Sequence, residues 1–216
     1  MTKAVIFDMD GTTVNTIESI AYFANQALQH AGLPTIETEE YKMMIGNGAK
    51  VLVQRMIQAL GGTPQQEATV YEEYTTSYDR DYLYLAHPYD GILPMLQELK
   101  AKGIRVGIIS NKPDFATKNI SRSLFGDLID VTYGGREGIP LKPNPQAVLD
   151  LLKEWHLSPN ECLYVGDSGV DMKTGKAARI FTIGVLWGFR GEEELRSTGA
   201  DVLVTHPQQI LDYITA

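Results

Sequence analysis

The chain has 216 residues, of which 44% are hydrophobic, 21% charged and 9% aromatic. This size and composition suit one full hydrophobic core with room for a small second domain, and they exclude an intrinsically disordered chain. The formal net charge of −8 argues against nucleic acid as a partner, because no basic stripe is available to displace counterions. An anionic small molecule is not excluded, since a few lysines in a pocket bind phosphate beneath an acidic surface.

Cysteine usage and hydropathy favour a cytoplasmic protein. The single cysteine, Cys162, excludes a disulfide within the chain, and its place at the edge of an apolar run predicts a buried, unreactive thiol. The N-terminal residues lack the basic and apolar regions of a signal peptide, so no leader is expected. No stretch approaches the roughly 18 apolar residues of a membrane span. We therefore expect a reducing cytoplasm and no membrane partner.

Five short runs rich in β-branched and aromatic residues are predicted to be buried parallel strands. These runs are residues 4–7, 105–109, 130–133, 163–165 and 181–185. Amphipathic helical patterns, as at 94–100 and 145–155, separate most of them. This alternation predicts a Rossmann-like α/β core with three layers, α/β/α, around a parallel sheet with right-handed crossovers.

A long insertion between the first two predicted strands has helical periodicity and no strand pattern. Apolar residues recur at spacings of three and four in three segments, which predicts amphipathic helices. The segments are residues 17–31, 49–60 and 66–84. The last carries a stripe of tyrosines that predicts core packing: Tyr71, Tyr74, Tyr78 and Tyr82.

These patterns divide the chain into two predicted domains. A catalytic α/β core is expected at residues 1–15 and 83–216, and a small all-helical domain at residues 16–82, inserted after the first strand. Two linkers connect the helical domain to the core beside the expected site, so we interpret this domain as a lid.

Polar residues suited to phosphate chemistry follow the predicted strands at their carboxyl ends. Asp8 and Asp10 follow the first strand, Ser110 and Asn111 the second, and Asp167 the fourth. Ligands of parallel α/β sheets bind at this edge, so we expect these side chains to meet in one site. With a lysine, these groups are what metal-assisted phosphoryl transfer through an aspartyl phosphate requires.

Asp8 and Asp10 carry the two roles that such a reaction needs. One carboxylate attacks phosphorus, for which Asp8 is the candidate. The other protonates the leaving alkoxide and later takes a proton from water. Gly11 permits the sharp turn that brings both groups to one phosphate. An acidic turn after an edge strand is the alternative interpretation, because Asp-Gly is also a hairpin signal.

A carboxylate that attacks a phosphate dianion meets like-charge repulsion, so the site needs cations. Carboxylate oxygens of Asp8 and Asp167, with a backbone carbonyl at Asp10, suit Mg²⁺. Asp171 reaches the same side if a helix begins after Asp167, and we expect it to act through a water molecule or through the direct ligands. Ordinary turn chemistry is the alternative for Gly166-Asp167-Ser168.

The cations and hydrogen-bond donors for the phosphate are expected from two other loops. Lys142 can neutralise the phosphate and Asp8 together, and Pro143-Asn144-Pro145 stiffens its loop. A solvated loop lysine is the alternative. Ser110 and Asn111 offer a hydroxyl, an amide and backbone N–H groups to phosphate oxygens.

These elements, in this order, resemble the haloacid dehalogenase superfamily of phosphohydrolases over nearly the whole chain. The resemblance implies the helical insertion to be the superfamily's cap. It also implies a role for each matching residue: Asp8 as nucleophile, Asp10 as acid/base, Ser110 as phosphate binder, Lys142 as stabilising lysine and Asp167 as metal ligand.

Finer features resemble the phosphoglycolate phosphatase branch. They are Ile45-Gly46-Asn47-Gly48-Ala49, Ser110-Asn111-Lys112-Pro113, and Leu186-Trp187-Gly188 ahead of Glu192-Glu193-Glu194-Leu195. Gly46, Asn47 and Gly48 precede a predicted helix, which suits them to a substrate carboxylate, with an ordinary interhelical turn as the alternative. Thr13 and Asn15 depart from the family pattern. Because Asn15 lies at a hinge, the departure bears on cap motion.

The predicted function is therefore a Mg²⁺-dependent phosphomonoesterase for a small phosphorylated metabolite, with 2-phosphoglycolate favoured. A β-phosphoglucomutase-like sugar-phosphate mutase and an inorganic pyrophosphatase are alternatives, although mutases commonly have an acidic residue where this chain has Gly166. Asp10 disfavours dehalogenation, because that branch lacks the second aspartate. A catalytically silent regulatory protein is the non-enzyme alternative. A monomer and a homodimer are both compatible with the sequence.

Overall fold

A computed structural model describes residues 1–215 of the chain. It contains two compact units, which are Met1–Asn15 with Pro88–Ala216, and Thr16–His87. We refer to the first as the core unit and to the second as the helical unit. The boundary between them lies after His87, a few residues beyond the predicted boundary at residue 82.

The core unit is built on a six-stranded parallel sheet with the order β5-β4-β1-β6-β7-β8. In chain order the strands of the protein are β1 (Ala4–Phe7), β2 (Val14–Asn15), β3 (His87–Pro88), β4 (Arg105–Pro113), β5 (Val131–Gly135), β6 (Cys162–Gly166), β7 (Phe181–Val185) and β8 (Val202–Val204). Strands β2 and β3 form a separate two-stranded sheet. From β1 the chain builds outward through β4 and β5, and then returns to the other side of β1 with β6. Ligands of open α/β sheets bind where the strand order reverses in this way.

Helices occupy both units. The helical unit has α1 (Ile17–His30), α2 (Thr38–Met44), α3 (Ala49–Leu60) and α4 (Pro64–Arg80), and the core unit has α5 (Ile92–Ala101), α6 (Asp114–Phe125), α7 (Gln146–Trp155), α8 (Gly169–Ala177) and α9 (Glu192–Ser197). Three short 3₁₀ segments complete the described part: Gly126–Leu128, Pro159–Glu161 and Pro207–Tyr213. None of the helices in residues 1–215 has the length and apolar composition that a membrane crossing requires.

The structure confirms the predicted α/β class with a parallel sheet. All five predicted strands are present, with bounds shifted by a few residues. The remaining strand of the six-stranded sheet, β8, is missing from the prediction because its three residues are too few for a periodic signal. The helix α2 is also missing from it, because only Tyr41 of its seven residues is buried and no apolar stripe marks it.

The helical unit is held together by aromatic contacts between α1 and α4. Phe23 meets the ring of Tyr78 edge-on at 5.5 Å, and Tyr78 stacks beside Tyr74 at the same separation. Edge-to-face and tilted pairs at these distances are favourable because of the ring quadrupole. Of the predicted tyrosine stripe, Tyr74 and Tyr78 are therefore buried in the core of the helical unit. Tyr71, at the N-terminal end of the stripe, is exposed.

One face of the core sheet is covered by α7. Val148, Leu151, Leu152 and Trp155 are buried against residues of the sheet. The predicted burial of Cys162 is confirmed, since its thiol lies in the same cluster. Burial, and then the nearby charge of Glu161, raise the pKa of this thiol to about 12, so it stays protonated and unreactive at neutral pH.

Helix α7 offers a matched test of this packing. Leu151 is fully buried and Leu149 is 40% exposed on the same helix. Leu151→Ala should lower the free energy of unfolding by about 2–5 kcal/mol, because it removes buried methyl groups and leaves a cavity. Leu149→Ala should change it by about 0.5 kcal/mol or less. Urea denaturation measures both, and equal losses would contradict the assigned burial.

Candidate active site

Five charged side chains are buried together in the loops at the carboxyl edge of the core sheet. Asp8 follows β1, Lys112 is the last residue but one of β4, and Asp167 follows β6. Lys142 precedes α7, and Asp171 lies in the first turn of α8. Each of the five is less than a tenth exposed. The sequence prediction that these loops converge at one edge therefore matches the described geometry.

Three of these residues form a compact carboxylate cluster. Asp8, Asp167 and Asp171 each offer an oxygen within 4.8 Å of the others. The ammonium of Lys142 lies 2.8 Å from Oδ1 of Asp8 and 2.7 Å from Oδ1 of Asp171. Three carboxylates against one contacting ammonium leave an excess of negative charge in a buried place. A divalent cation with oxygen ligands fits both the charge and the donor set.

Burial and mutual repulsion shift the protonation of this cluster. Burial, and then the charge of Asp171, raise the pKa of the Asp167 carboxyl to about 7. Burial likewise raises the pKa of Asp8 well above its usual value, with Asp171 adding to the shift and Lys142 opposing it. For Lys142 burial alone would lower the pKa, but Asp171 and Asp8 raise it well above the usual value. The lysine is therefore a permanent cation of the site.

Asp167 is held by the turn after β1 and by the loop after β7. Its Oδ1 accepts a hydrogen bond from Thr12 Oγ1 at 3.2 Å, and its Oδ2 accepts one from the backbone N–H of Phe189 at 2.7 Å. The approach is so close that a Cβ on Gly11 or Gly188 would lie 2.3 Å from atoms of Asp167. Both positions therefore require glycine. This gives a local reason for the Leu186-Trp187-Gly188 motif, to which the sequence prediction assigned no contact.

Asp171 has protein partners on both carboxylate oxygens. Oδ1 meets Lys142, and Oδ2 accepts hydrogen bonds from Ser168 Oγ at 2.6 Å and Ser168 N at 3.2 Å. The Ser168 contacts are also a capping box that begins α8. These contacts are compatible with the predicted indirect role of Asp171, through a water molecule or through the direct ligands, and that role stays a prediction.

Asp10 points to a different cation. Both of its carboxylate oxygens lie 3.0 Å from Nζ of Lys112. Its carboxylate is not a member of the group formed by Asp8, Asp167 and Asp171, and the expected contact of its backbone carbonyl with a metal stays a prediction. The sequence prediction gave Lys112 no role of its own. Lys112 entered that prediction only as part of the Ser110-Asn111-Lys112-Pro113 motif.

Ser110 and Asn111 lie at the end of β4, as predicted, but the side chain of Asn111 is hydrogen-bonded to the backbone of Lys142. Its Nδ2 donates to the carbonyl of Lys142 at 3.0 Å, and its Oδ1 accepts from the backbone N–H of Lys142 at 2.8 Å. The side-chain amide therefore clamps the lysine loop, which differs from the expected use of that amide on phosphate oxygens. Ser110 Oγ accepts from the backbone N–H of Lys112 at 3.2 Å, and its hydroxyl hydrogen stays available to a phosphate oxygen.

The loop of Gly46, Asn47 and Gly48 lies in the helical unit, directly before α3. Gly46 and Gly48 have φ values of 113° and 85°, which favour glycine. Arg55 holds the loop, because it donates to Asn47 Oδ1 at 2.9 Å and to the carbonyl of Met44 at 2.7 Å. Arg55 was absent from the sequence prediction, and it adds a guanidinium to this loop.

The parallel core and its buried site of carboxylates and lysines together define an α/β enzyme. Comparison with known families makes the assignment specific. The sequence model of the family of haloacid dehalogenase-like hydrolases matches residues 5–185, and the chain therefore belongs to this family.

Individual relatives agree with this assignment over nearly the full length. A phosphoglycolate phosphatase from Yersinia pseudotuberculosis is 30% identical over 217 residues, covering 98% of this chain and 93% of the relative. An N-acetylmuramic acid 6-phosphate phosphatase from Pseudomonas aeruginosa is 28% identical over 214 residues, covering 98% and 94%. The crystal structure of a predicted phosphoglycolate phosphatase from Haemophilus somnus 129pt has a TM-score of 0.91 at 26% identity, covering 98% and 97%. Family and relatives together make this chain a phosphoric monoester hydrolase.

Protonation of Asp167 should control metal affinity. With a pKa of about 7, this carboxyl is mostly protonated at pH 6 and mostly ionised at pH 8. A divalent cation must displace that proton, so its affinity should rise about tenfold between these pH values. Calorimetric titration with Mn²⁺ measures the change. Asp167→Asn should lose this pH dependence, and an equal affinity of the unmodified protein at pH 6 and pH 8 would contradict the assignment.

Proposed function

We propose that the protein is a Mg²⁺-dependent phosphomonoesterase that works through an aspartyl phosphate on Asp8. One observation supports this most directly: the Lys142 ammonium lies within 2.8 Å of both Asp8 and Asp171. This place is at the carboxyl edge of the sheet, where parallel α/β sheets bind ligands. A carboxylate can attack an anionic phosphate only where cations offset the repulsion. Here one cation is built in, and the remaining negative charge suits a second.

The first step is attack of Asp8 on phosphorus. Its Oδ1 is fixed by the Lys142 ammonium at 2.8 Å and by the backbone N–H of Met9 at 2.6 Å. Burial and the charge of Asp171 raise the pKa of Asp8, and the contact with Lys142 opposes this rise. The Lys142 ammonium, together with a bound divalent cation, would favour the carboxylate form that attacks phosphorus. The P–O bond to the leaving group breaks as the bond to Asp8 forms.

Proton transfer is the role of Asp10. In the first step its carboxyl gives a proton to the leaving alkoxide, and in the second it takes one from the water that attacks the aspartyl phosphate. The products are the free alcohol, inorganic phosphate and regenerated Asp8. The pair of aspartates is thus divided between nucleophilic and acid–base chemistry.

The residues that would hold Mg²⁺ are the Asp8 and Asp167 carboxylates and the Asp10 carbonyl, with Asp171 acting indirectly. The bound ion supplies positive charge that lets phosphate and Asp8 approach each other. Thr12 and the backbone of Phe189 orient Asp167 for this purpose. Outer contacts of this kind fix the direction of a ligand oxygen before the metal arrives.

The favoured substrate is the phosphate ester of a small carboxylic acid, with 2-phosphoglycolate first. Two differently named relatives act on phosphate esters of acids, a glycolate and a muramic acid. The loop of Gly46, Asn47 and Gly48 directly precedes the helix α3, and the guanidinium of Arg55 from that helix contacts Asn47. A helix N-terminus beside a guanidinium suits a carboxylate. We therefore propose that the helical unit is a cap whose loop recognises the acid group. The similarity to the second relative makes N-acetylmuramic acid 6-phosphate the second candidate.

A panel of matched esters tests the proposal. Phosphate release should be measured with Mg²⁺ for 2-phosphoglycolate against ethyl phosphate, and for N-acetylmuramic acid 6-phosphate against N-acetylglucosamine 6-phosphate. Each first member has a carboxylate that its partner lacks. We expect kcat/KM to favour one carboxylate member by about tenfold to a hundredfold, equivalent to about 1.4–2.7 kcal/mol.

The same panel separates the alternatives. Hydrolysis of both members of each pair at equal rates would support the phosphatase activity and contradict the proposed recognition of a carboxylate. Preference for pyrophosphate would indicate a pyrophosphatase, and conversion of β-glucose 1-phosphate to the 6-phosphate would indicate a mutase. Arg55→Gln should reduce the preference within the favoured pair and leave the turnover of p-nitrophenyl phosphate unchanged.

A further inference from the structure

We propose that Lys112 is the positioning residue of the acid–base carboxyl, fixing the orientation of Asp10 through an ion pair with both of its oxygens. The inference rests on the proposed function, because it assumes that Asp10 exchanges protons with the leaving group and with water. It adds a second lysine to the site, with a task different from that of Lys142.

The ion pair has the geometry of a fixed support. Nζ of Lys112 is 3.0 Å from Oδ1 and 3.0 Å from Oδ2 of Asp10, so the contact restrains rotation of the carboxylate as well as its distance. The lysine side chain is 5% exposed and that of Asp10 is 12% exposed. A pair so shielded from water is stronger and more rigid than a surface ion pair.

The backbone of Lys112 is itself anchored at both of its polar groups. Its N–H donates to Ser110 Oγ at 3.2 Å, and its carbonyl accepts from Thr117 Oγ1 at 3.1 Å. The first contact lies within the end of β4, and the second joins this end of the strand to α6. The ammonium is therefore presented to Asp10 from a rigid part of the core unit, which is what accurate placement of a catalytic group requires.

Asp10 needs such support because it lies on a turn. It follows β1 by three residues and precedes Gly11, whose φ is 86°. A proton donor must stay within hydrogen-bond reach of the leaving oxygen, and small displacements of such a group cost large factors in rate. The two lysines thus have separate tasks, because Lys142 contacts Asp8 and Asp171 whereas Lys112 contacts Asp10.

The test compares leaving groups. Lys112→Met keeps most of the length of the side chain and removes its charge. For the best alkyl ester of the panel we expect kcat to fall by about tenfold to a hundredfold with little change in KM, because the alkoxide needs a proton. For p-nitrophenyl phosphate the loss should be about threefold or less, since p-nitrophenolate leaves with little protonation. Lys112→Arg should recover part of the alkyl-ester rate.

A double-mutant cycle shows whether the lysine acts through Asp10. Asp10→Asn removes the acid, so adding Lys112→Met to it should cost at most a further twofold or so in alkyl-ester kcat. A full loss in that background, with a raised KM for both substrates, would show that Lys112 binds phosphate directly and would overturn the proposal. If Lys112→Met alone does not fold, the comparison of Asp10→Asn with the double variant still decides the question, because the double variant removes both charges of the pair and leaves neither without its partner.

Lys118→Met is the matched control. Lys118 also pairs with an aspartate, Asp114, but its side chain is 51% exposed on α6. Both rates should stay at the level of the unmodified protein. Failure of the unmodified protein to hydrolyse either substrate would count against the proposed function. Active protein with equal losses on both substrates in Lys112→Met would overturn only the role of Lys112.

Discussion

The Lys142 ammonium between Asp8 and Asp171 is the interaction on which the rest of the site depends. Without it, three buried carboxylates would face one another in a place where burial already disfavours their charged forms. The surrounding contacts serve to hold this lysine. Asn111 clamps its backbone from the end of β4, and Asp171 is in turn fixed by the cap of α8. Lys142 is therefore held by residues at the ends of β1 and β4 and at the start of α8, and its position follows from the fold.

The same fold explains why the charges separate into two groups. The turn after β1 presents Asp8 to Lys142 and Asp10 to Lys112, so neighbouring carboxylates meet different cations. In the proposed mechanism, the first group of contacts belongs to the nucleophile and the residues that would hold the metal, and the second orients the acid. Gly11 and Gly188 approach Asp167 so closely that they fix its position in this arrangement. A single turn thus carries both halves of the proposed chemistry.

Much of this arrangement could be predicted from the sequence, and the exceptions have a common cause. The α/β class and five strands follow from apolar runs, and the meeting of strand-end polar residues follows from the geometry of parallel sheets. The partner of Asp10 lies 102 residues away in the chain, and that of Asn111 lies 31 residues away. No local pattern encodes which of several buried polar groups will pair. The strand β8 and the helix α2 were missed for a different reason, since each is too short or too exposed to show a period.

The most direct test of the account is chemical trapping of the intermediate on Asp8. Borohydride reduces an aspartyl phosphate to homoserine and leaves a free carboxylate unchanged. The protein should be quenched with borohydride during turnover of its best ester and its peptides analysed by mass spectrometry. We expect homoserine at position 8 in the presence of substrate, and none without substrate or in Asp8→Asn. Homoserine at Asp10 or at another aspartate, or no reduction anywhere at saturating substrate, would contradict the central role of Asp8.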